Sequence, residues 1–467
     1  MKRPLRIALR ILAGLLAFAV ITLMICLDGV DTRPYFRQAY YTETVARLHN
    51  LSQTNRSVYG ELQAGFGRAQ LSPTVQVSQD DPSQGRFRSL PLAGYGNRHG
   101  KTARGVHDPL YVKAVALKVQ DSLGIMLGAD ALIIPREVEE MAMRRLERES
   151  DLRREQVYLS ASHSHSSLGG WGEGLVAEAF AGGFQPGARA WFSDRLVEAV
   201  QKAIKDLQPA RIGQGRFKAS QFVRNRLVGS LGEVDPEFSY ALVEQDSGQR
   251  AVLGVFGAHA TILSSDMMEF SADYPGAWER AVEKATGGMA VFLAGDVGSQ
   301  SPVPAASGLT GVEQMGLALA QRLVEQLPLT PLTNSLTFGM LGLEVTLPPL
   351  NVRVTDGLRL RPWLAGKLVP GNRHSFLQVF RVDGSVWIST PCDFSGELAL
   401  GIKDCLHAHG SNAIITSFNG DYIGYVIPSR YYHLSGYEPR LMSFFGPNVP
   451  DYLDELIRRM ALALVDK

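Results

Sequence analysis

Apolar and polar positions alternate between two rhythms along most of the chain. Residues 63–71, 111–120, 124–133, 156–164, 251–260, 289–297, 336–347, 374–382, 385–391 and 412–420 are short runs rich in Val, Ile, Leu and Phe. Such runs bounded by Gly, Pro, Asp or Ser predict strands. Between them, residues 137–149, 188–207, 311–327 and 451–465 carry apolar side chains at helical spacing. Strand and helix in alternation predict an α/β fold: a single large domain with a mixed β-sheet core flanked by helices. The region 330–360 is richer in strands and Pro, and reads as a local antiparallel excursion.

One stretch follows neither rhythm. Residues 11–27, ILAGLLAFAVITLMICL, contain no charge, and Leu5, Ile7, Ala8 and Leu9 extend them if Arg6 and Arg10 snorkel. A spanning helix needs about 20 mainly apolar residues. Lys2, Arg3, Arg6 and Arg10 precede the run, while Asp28 and Asp31 follow it. That asymmetry predicts a transmembrane anchor with a cytoplasmic N-terminus and an exported body, on the periplasmic face of the inner membrane if bacterial. The following CLDGVDTRPYF lacks the small-x-small site of a cleaved signal peptide. The expected organisation is an anchor over 1–28, a spacer with a short helix over 29–60 and a catalytic body over 61–467.

Composition narrows the function classes. The chain has 467 residues, 45% hydrophobic and 20% charged, which suits a globular body with a large core. Its 47 basic and 46 acidic residues nearly cancel, and four of the basic ones precede the apolar run. The body is therefore slightly acidic and has no footprint for nucleic acid. Three cysteines, Cys26, Cys392 and Cys405, make no disulfide framework. No P-loop, G-x-S-x-G, H-E-x-x-H or C-x-x-C is present. Nothing in the sequence sets the oligomeric state.

Candidate chemistry clusters where strands run into loops. The strand QVYLSAS leads into His163 and His165, and in an extended chain residues i and i+2 share a face. A second H-x-H, His407 and His409, ends a helical stretch closed by Gly410, where the two rings diverge; it reads as a helix terminus. His259, the GDVGSQSP loop, PCDFSGEL and NGDYIGY each follow another strand. Recurring His, Asp, Glu and Tyr at strand exits suggest a zinc hydrolase, because zinc takes imidazole nitrogen and carboxylate oxygen and keeps a position for water.

Taken in order, these segments resemble the neutral, non-lysosomal ceramidases and their bacterial relatives. SASHSHSSLGG is similar to that family's S-A-T-H-T-H-S-G-P-G-G, and GVHDPLYVKAVAL to its Gly-Ile-His element. Asn225 to Leu227, His259-Ala-Thr261, GDVGSQSP, Pro391-Cys-Asp393, NGDYIGY, GYE and FGP resemble its later elements. The resemblance implies zinc held by His163, His259, Asp393 and Tyr425. It implies that His165 handles a proton, that Arg226 and Tyr437 bind the carbonyl oxygen, and that Ser299 or Ser301 matches the family's serine. Asp393 stands where the family has Glu, so Glu397 is an alternative ligand, and Tyr422 an alternative to Tyr425. The chain ends soon after the Gly-Pro element, so the expectation is a relative lacking the family's C-terminal immunoglobulin-like domain. The implied activity is zinc-dependent hydrolysis of the amide bond in a ceramide-like N-acyl lipid. The alternatives are hydrolysis of another amide or ester at the same metal site, or an inactive exported scaffold.

Overall fold

The computed structural model describes residues 3–54, 56–369 and 373–465. Twelve strands form one branched, mixed sheet. In chain order they are β1 (Val58–Gln70), β2 (Tyr111–Val119), β3 (Ser122–Ala129), β4 (Val157–Ala161), β5 (Gln208–Lys218) and β6 (Glu237–Gln245). They continue as β7 (Arg250–Phe256), β8 (Met289–Ala294), β9 (Ser335–Thr346), β10 (His374–Val382), β11 (Ser385–Ser389) and β12 (Asn412–Thr416). The helices are α1 (Arg3–Cys26), α2 (Ala39–Thr54), α3 (Arg136–Ser150), α4 (Leu175–Ala181), α5 (Pro186–Lys205) and α6 (Asp273–Thr286). After them come α7 (Gly308–Gln326), α8 (Pro362–Leu368), α9 (Gly396–Ala408), α10 (Tyr437–Arg440) and α11 (Val449–Val465).

The branching starts in β1, whose thirteen residues serve three neighbours. Residues 58–61 pair with β9, residues 62–70 with β2, and Gln63 and Ala64 also with β5. One arm is thus β1–β2–β3–β4, a second β5–β6–β7–β8 and a third β9–β10–β11–β12. Their inner faces meet in a shared core that includes Val115, Tyr158, Leu253, Leu293, Phe380 and Trp387. Helices cover the outer faces: α3 and α5 over the first arm, α6 and α7 over the second, α2, α9 and α11 over the third. Residues on both faces of a strand are then buried, so these strands read as unbroken apolar runs rather than alternating ones.

The arms are tied where β4, β8 and β12 end. Ser417 donates its N–H to the Ala294 carbonyl, Ser160 Oγ donates to the Ser417 carbonyl, and the Tyr158 and Thr416 hydroxyls bond at 2.7 Å. Those two hydroxyls are fully buried. Tyr158→Phe is expected to lower stability by about 1–3 kcal/mol, since it strands the Thr416 hydroxyl in the core. Urea unfolding of the variant with an unchanged m-value is the check.

Two strands, β5 and β6, and helix α6 were not expected from the apolar pattern. β5 reads QPARIGQGRFK and is only partly buried, while α6 opens on Asp-Tyr-Pro-Gly, a turn signature that also suits a helix's first turn. The stretch 29–60, expected as a spacer, is instead docked on the body. Leu48 and Thr44 of α2 are buried, Thr44 Oγ accepts the Thr346 N–H, and Tyr35 and Tyr41 bond Glu455 of α11. The Tyr-rich face of α2 is what buries it. Among the described residues one helix is long and apolar enough to cross a membrane, Leu5–Cys26, and none of it is buried in the body.

Candidate metal centre

The C-terminal ends of β4, β7, β8, β11 and β12 converge, and each delivers a side chain or a supporting loop. His163 and His165 follow β4 and His259 follows β7. Beyond β11 and β12, Asp393–Phe394 pairs in parallel with Tyr425–Val426, which sets Asp393 beside Tyr425. The two histidines after β4 do not meet by strand alternation, as the sequence suggested. β4 ends at Ala161, and His163 adopts a left-handed conformation with φ 64°, so a turn aims both rings at one point. Phe418, also left-handed at φ 68°, stacks on the His163 ring at 4.1 Å. Strain of this kind persists only where the surroundings enforce it.

Ligand atoms of His163, His165 and His259 all lie within 4.8 Å of one another. The Nε2 atoms of His163 and His259 are 2.9 Å apart, and His165 Nε2 is 3.3 Å from His163 Nε2. Asp393 Oδ1 sits 3.4 Å and 3.5 Å from the first two, and the Tyr425 hydroxyl 3.3 Å from His259 Nε2. His163 Nδ1 lies 2.7 Å from the Leu132 carbonyl and His259 Nδ1 lies 3.0 Å from the Val297 carbonyl. A carbonyl only accepts, so both Nδ1 atoms carry the proton and both Nε2 atoms present lone pairs. Burial, reinforced for His259 by Arg226 and its neighbouring imidazoles, holds these rings neutral: His163 is lowered to about 3 and His259 well below the ordinary range. Two lone pairs 2.9 Å apart repel unless a cation lies between them. Asp393 Oδ1 is buried and has no hydrogen-bond partner among the described residues, so a carboxylate oxygen is aimed at the same spot unsatisfied. Nitrogen, carboxylate and phenol donors around one point fit a metal ion of zinc's preferences.

The surrounding shell fixes these groups. Tyr422 donates its hydroxyl to Asp393 Oδ2 at 2.8 Å, leaving Oδ1 free and removing Tyr422 from the imidazoles. Glu397 bonds Asn225 and Arg430 rather than approaching the cluster. Burial, only partly offset by Tyr422 and Arg226, pushes the Asp393 carboxyl up to about 7. Arg226 donates Nε to Glu438 at 2.6 Å and lies 5.8 Å over the Tyr425 ring. Burial opposes its charge, but Tyr425 and Glu438 outweigh that and hold its pKa above the ordinary range. His165 is held from behind: Arg98 donates to its carbonyl, and Tyr95 packs on its ring at 4.8 Å. Gly94, at φ 116°, lies so close that a Cβ there would meet His165 Cα at 2.4 Å.

A cavity of about 290 Å³ opens over these groups. His163, His165, Asp393, Tyr425 and Tyr437 lie at its floor or wall, and Trp171, Phe180, Val369, Met442 and Phe444 make its apolar sides. Ser299 and Ser301 do not line it. The Ser299 hydroxyl accepts the Gly396 N–H at 3.1 Å and bonds Ser395 at 3.0 Å, which caps α9. Ser301 sits in the two-stranded ladder opposite Arg224. Glu438, Tyr95, Arg98 and Phe418 join the site without being expected from the sequence. Tyr95 and Arg98 lie in GYGNRHG, and Glu438 lies in GYE beside Tyr437. His407 and His409 are exposed at the end of α9, as expected for a helix terminus.

Comparison with known proteins bears on this centre. Residues 78–302 match the family model described as neutral/alkaline non-lysosomal ceramidase, N-terminal. The chain is similar to this family over just under half of its length. That stretch holds His163, His165, Arg226, His259 and Ser299, while Asp393 and Tyr425 come from beyond it. The neutral ceramidase of Mycobacterium tuberculosis is 26% identical over 236 residues, covering 45% of this chain and 36% of that protein. The neutral ceramidase of Pseudomonas aeruginosa is 25% identical over 237 residues, covering 47% of this chain and 35% of that protein. The match thus spans about a third of the length of these curated relatives. The solved structure of the Pseudomonas aeruginosa enzyme superposes with a TM-score of 0.71 at 20% identity, over 87% of this chain and 75% of that one. A structure described as ceramidase complexed with C2 gives a TM-score of 0.71 at 18% identity, over 86% and 75%. These two likenesses establish a shared fold across nearly the whole body.

Proposed function

We propose that the chain is a zinc-dependent amidase that cleaves the amide bond of a ceramide-like N-acyl lipid. Its body lies outside the membrane that α1 spans. The observation that carries this reading is the convergence of two lone-pair Nε2 atoms with an unsatisfied buried carboxylate oxygen at the floor of an apolar cavity. An amide needs both a strong nucleophile and a polarised carbonyl, and an apolar cavity selects an acyl chain.

In this reading His163, His259, Asp393 and Tyr425 hold the metal. When bound, zinc brings the pKa of its water down from near 15.7 to about 7 and polarises a carbonyl. The chain's own residues do the rest. His165, kept neutral by burial and then by His163 and Arg226, accepts a proton as the amide is attacked and returns it to the leaving nitrogen. Tyr437, whose ring packs 6.0 Å from Tyr425, donates to the carbonyl oxygen as charge grows there. Arg226 supplies positive charge from behind Tyr425, and Glu438 fixes its position. Leu132 and Val297 hold the imidazoles in one tautomer through their carbonyls. Ser299 and Ser301 support the centre from the loop that carries Val297.

Tyr437→Phe is expected to lower kcat by about 10–10²-fold, below the 10²–10³ of an enclosed oxyanion donor, because Tyr437 is 41% exposed. Steady-state kinetics that leave KM nearly unchanged would fit this role. The reading as a whole is tested by fatty-acid release from ceramide in mixed micelles. Release that a chelator abolishes and zinc restores supports it. Release from other amides or esters but not from ceramide overturns the substrate.

A further inference from the structure

The apolar helix does not hang from the body by a free tether. Residue 27 follows α1 without a break, and Leu27–Gly29 pairs antiparallel with Leu358–Leu360. Arg361 donates its N–H to the Cys26 carbonyl at 2.9 Å and its Nε to the Leu27 carbonyl at 3.1 Å. Val30 donates to Gly357, and Arg359 lies 3.7 Å from Asp28. Paired strands run about 4.8 Å apart, so Leu360 is held one strand spacing from the last apolar residue of the run. Helix α8 begins two residues later.

The segment held there exposes apolar side chains. Trp363 is 52% exposed, and Val354, Leu358 and Leu368 are also exposed. Lys367 sits 5.7 Å over the Trp363 ring, and Arg361 is exposed beside it. Tryptophan with Lys or Arg is the pairing found at membrane–water interfaces. The same segment borders the cavity. Val369, directly after α8, lines it. Arg440 of α10 donates to the Val354 carbonyl and to Asp356, tying the 354–358 turn to the helix that begins with the cavity residue Tyr437. Leu441, at the end of α10, is exposed as well.

We propose that Val354, Leu358, Trp363, Leu368 and Leu441 form a bilayer-docking surface, fixed to the exit of α1, that seats the cavity mouth on the lipid. The occupant is the surface of the membrane in which α1 itself lies. A lipid amide then enters the cavity along α8 without crossing open water. The proposal rests on the reading of α1 as an anchor, and its consequence for entry rests on the lipid-amidase reading.

The chain carries its own probe. It has five tryptophans, none in α1, and Trp171, Trp191, Trp278 and Trp387 are all buried. The full chain is reconstituted into phosphatidylethanolamine–phosphatidylglycerol vesicles with bromine at shallow acyl positions, and flotation confirms association. Bromine is expected to quench the emission of Trp363, and the quenched fraction is expected to disappear in Trp363→Phe. In parallel, Trp363→Asp is expected to slow turnover of a bilayer-embedded ceramide about tenfold, while a short-chain, water-soluble N-acyl amide is turned over as by wild type. A chain that fails to float overturns the anchor and this surface together. A chain that floats but shows equal quenching with and without Trp363 overturns the surface alone and leaves the amidase reading intact. An equal fall on both substrates identifies α8 as structural and overturns it too. The fluorescence result stands even if no amide is hydrolysed.

Discussion

Asp393→Asn is expected to lower kcat/KM on an N-acyl lipid amide by about 10³-fold or more, a change of about 4 kcal/mol in transition-state stabilisation. The amide keeps the size of the carboxylate and can still accept the Tyr422 hydroxyl at one oxygen. What it lacks is the anionic Oδ1, which lies 3.4–3.5 Å from the two facing Nε2 atoms. The donor set then has no carboxylate, and with Arg226 nearby the pocket repels a cation. Asp393→Glu separates charge from geometry. It restores the anion on a side chain one methylene longer, so part of the activity is expected to return. A full set of kinetic constants for the three proteins, with metal content measured alongside, checks this.

The second large effect is on metal affinity as a function of pH. Without metal, burial raises the Asp393 carboxyl to about 7, while the same burial holds His163, His165 and His259 below their ordinary range. The imidazoles therefore stay neutral and do not compete with a metal across ordinary pH. The carboxyl does compete: below about pH 7 it is protonated, and binding must expel one proton. Zinc affinity is expected to fall about tenfold per pH unit as pH drops from about 7 towards 5, with a slope of one proton. In metal-free protein the carboxyl, raised to about 7, contributes stability that is lost as pH rises through about 7, whereas the three imidazoles, held below their ordinary value of 6.5, contribute stability that is lost as pH falls below it. Three groups outweigh one, so metal-free protein is expected to lose stability on acidification below about pH 6.5, and bound zinc to oppose that loss. Calorimetric titration in buffers of different ionisation enthalpy counts the proton, and melting curves of the metal-free chain give the sign.

Much of the site was legible because strands announce their ends. Buried strands such as MAVFLA and SVWIS are continuous apolar runs, and the polar residues just past them had to be loop residues. In α/β proteins, sites gather at those carboxyl ends. The strands β5 and β6 were missed because QPARIGQGRFK is broken by Gly and Gln, and EFSYALVEQ carries charge at both ends. The left-handed turn at His163 was not legible either, because the groups that hold its ring, Phe418 by stacking and the Leu132 carbonyl by a hydrogen bond, are distant in sequence. That Asp393 rather than Glu397, and Tyr425 rather than Tyr422, stands beside the imidazoles is visible only in three dimensions. All four residues follow β11 or β12, and the parallel pairing of 393–394 with 425–426 is a long-range contact. The docking of α2 was hidden for the same reason: Tyr41 of α2 and Tyr35 just before it are equally at home in a spacer until Glu455 is seen to receive their hydroxyls.

The central claim is a metal held by His163, His259, Asp393 and Tyr425. Elemental analysis of the purified full chain, wild type beside His163→Ala, tests it most directly. The prediction is one zinc per chain in wild type and none in the variant, with both folded by circular dichroism. Wild-type protein that takes up no metal after zinc is resupplied, or a variant that keeps it, would contradict the account.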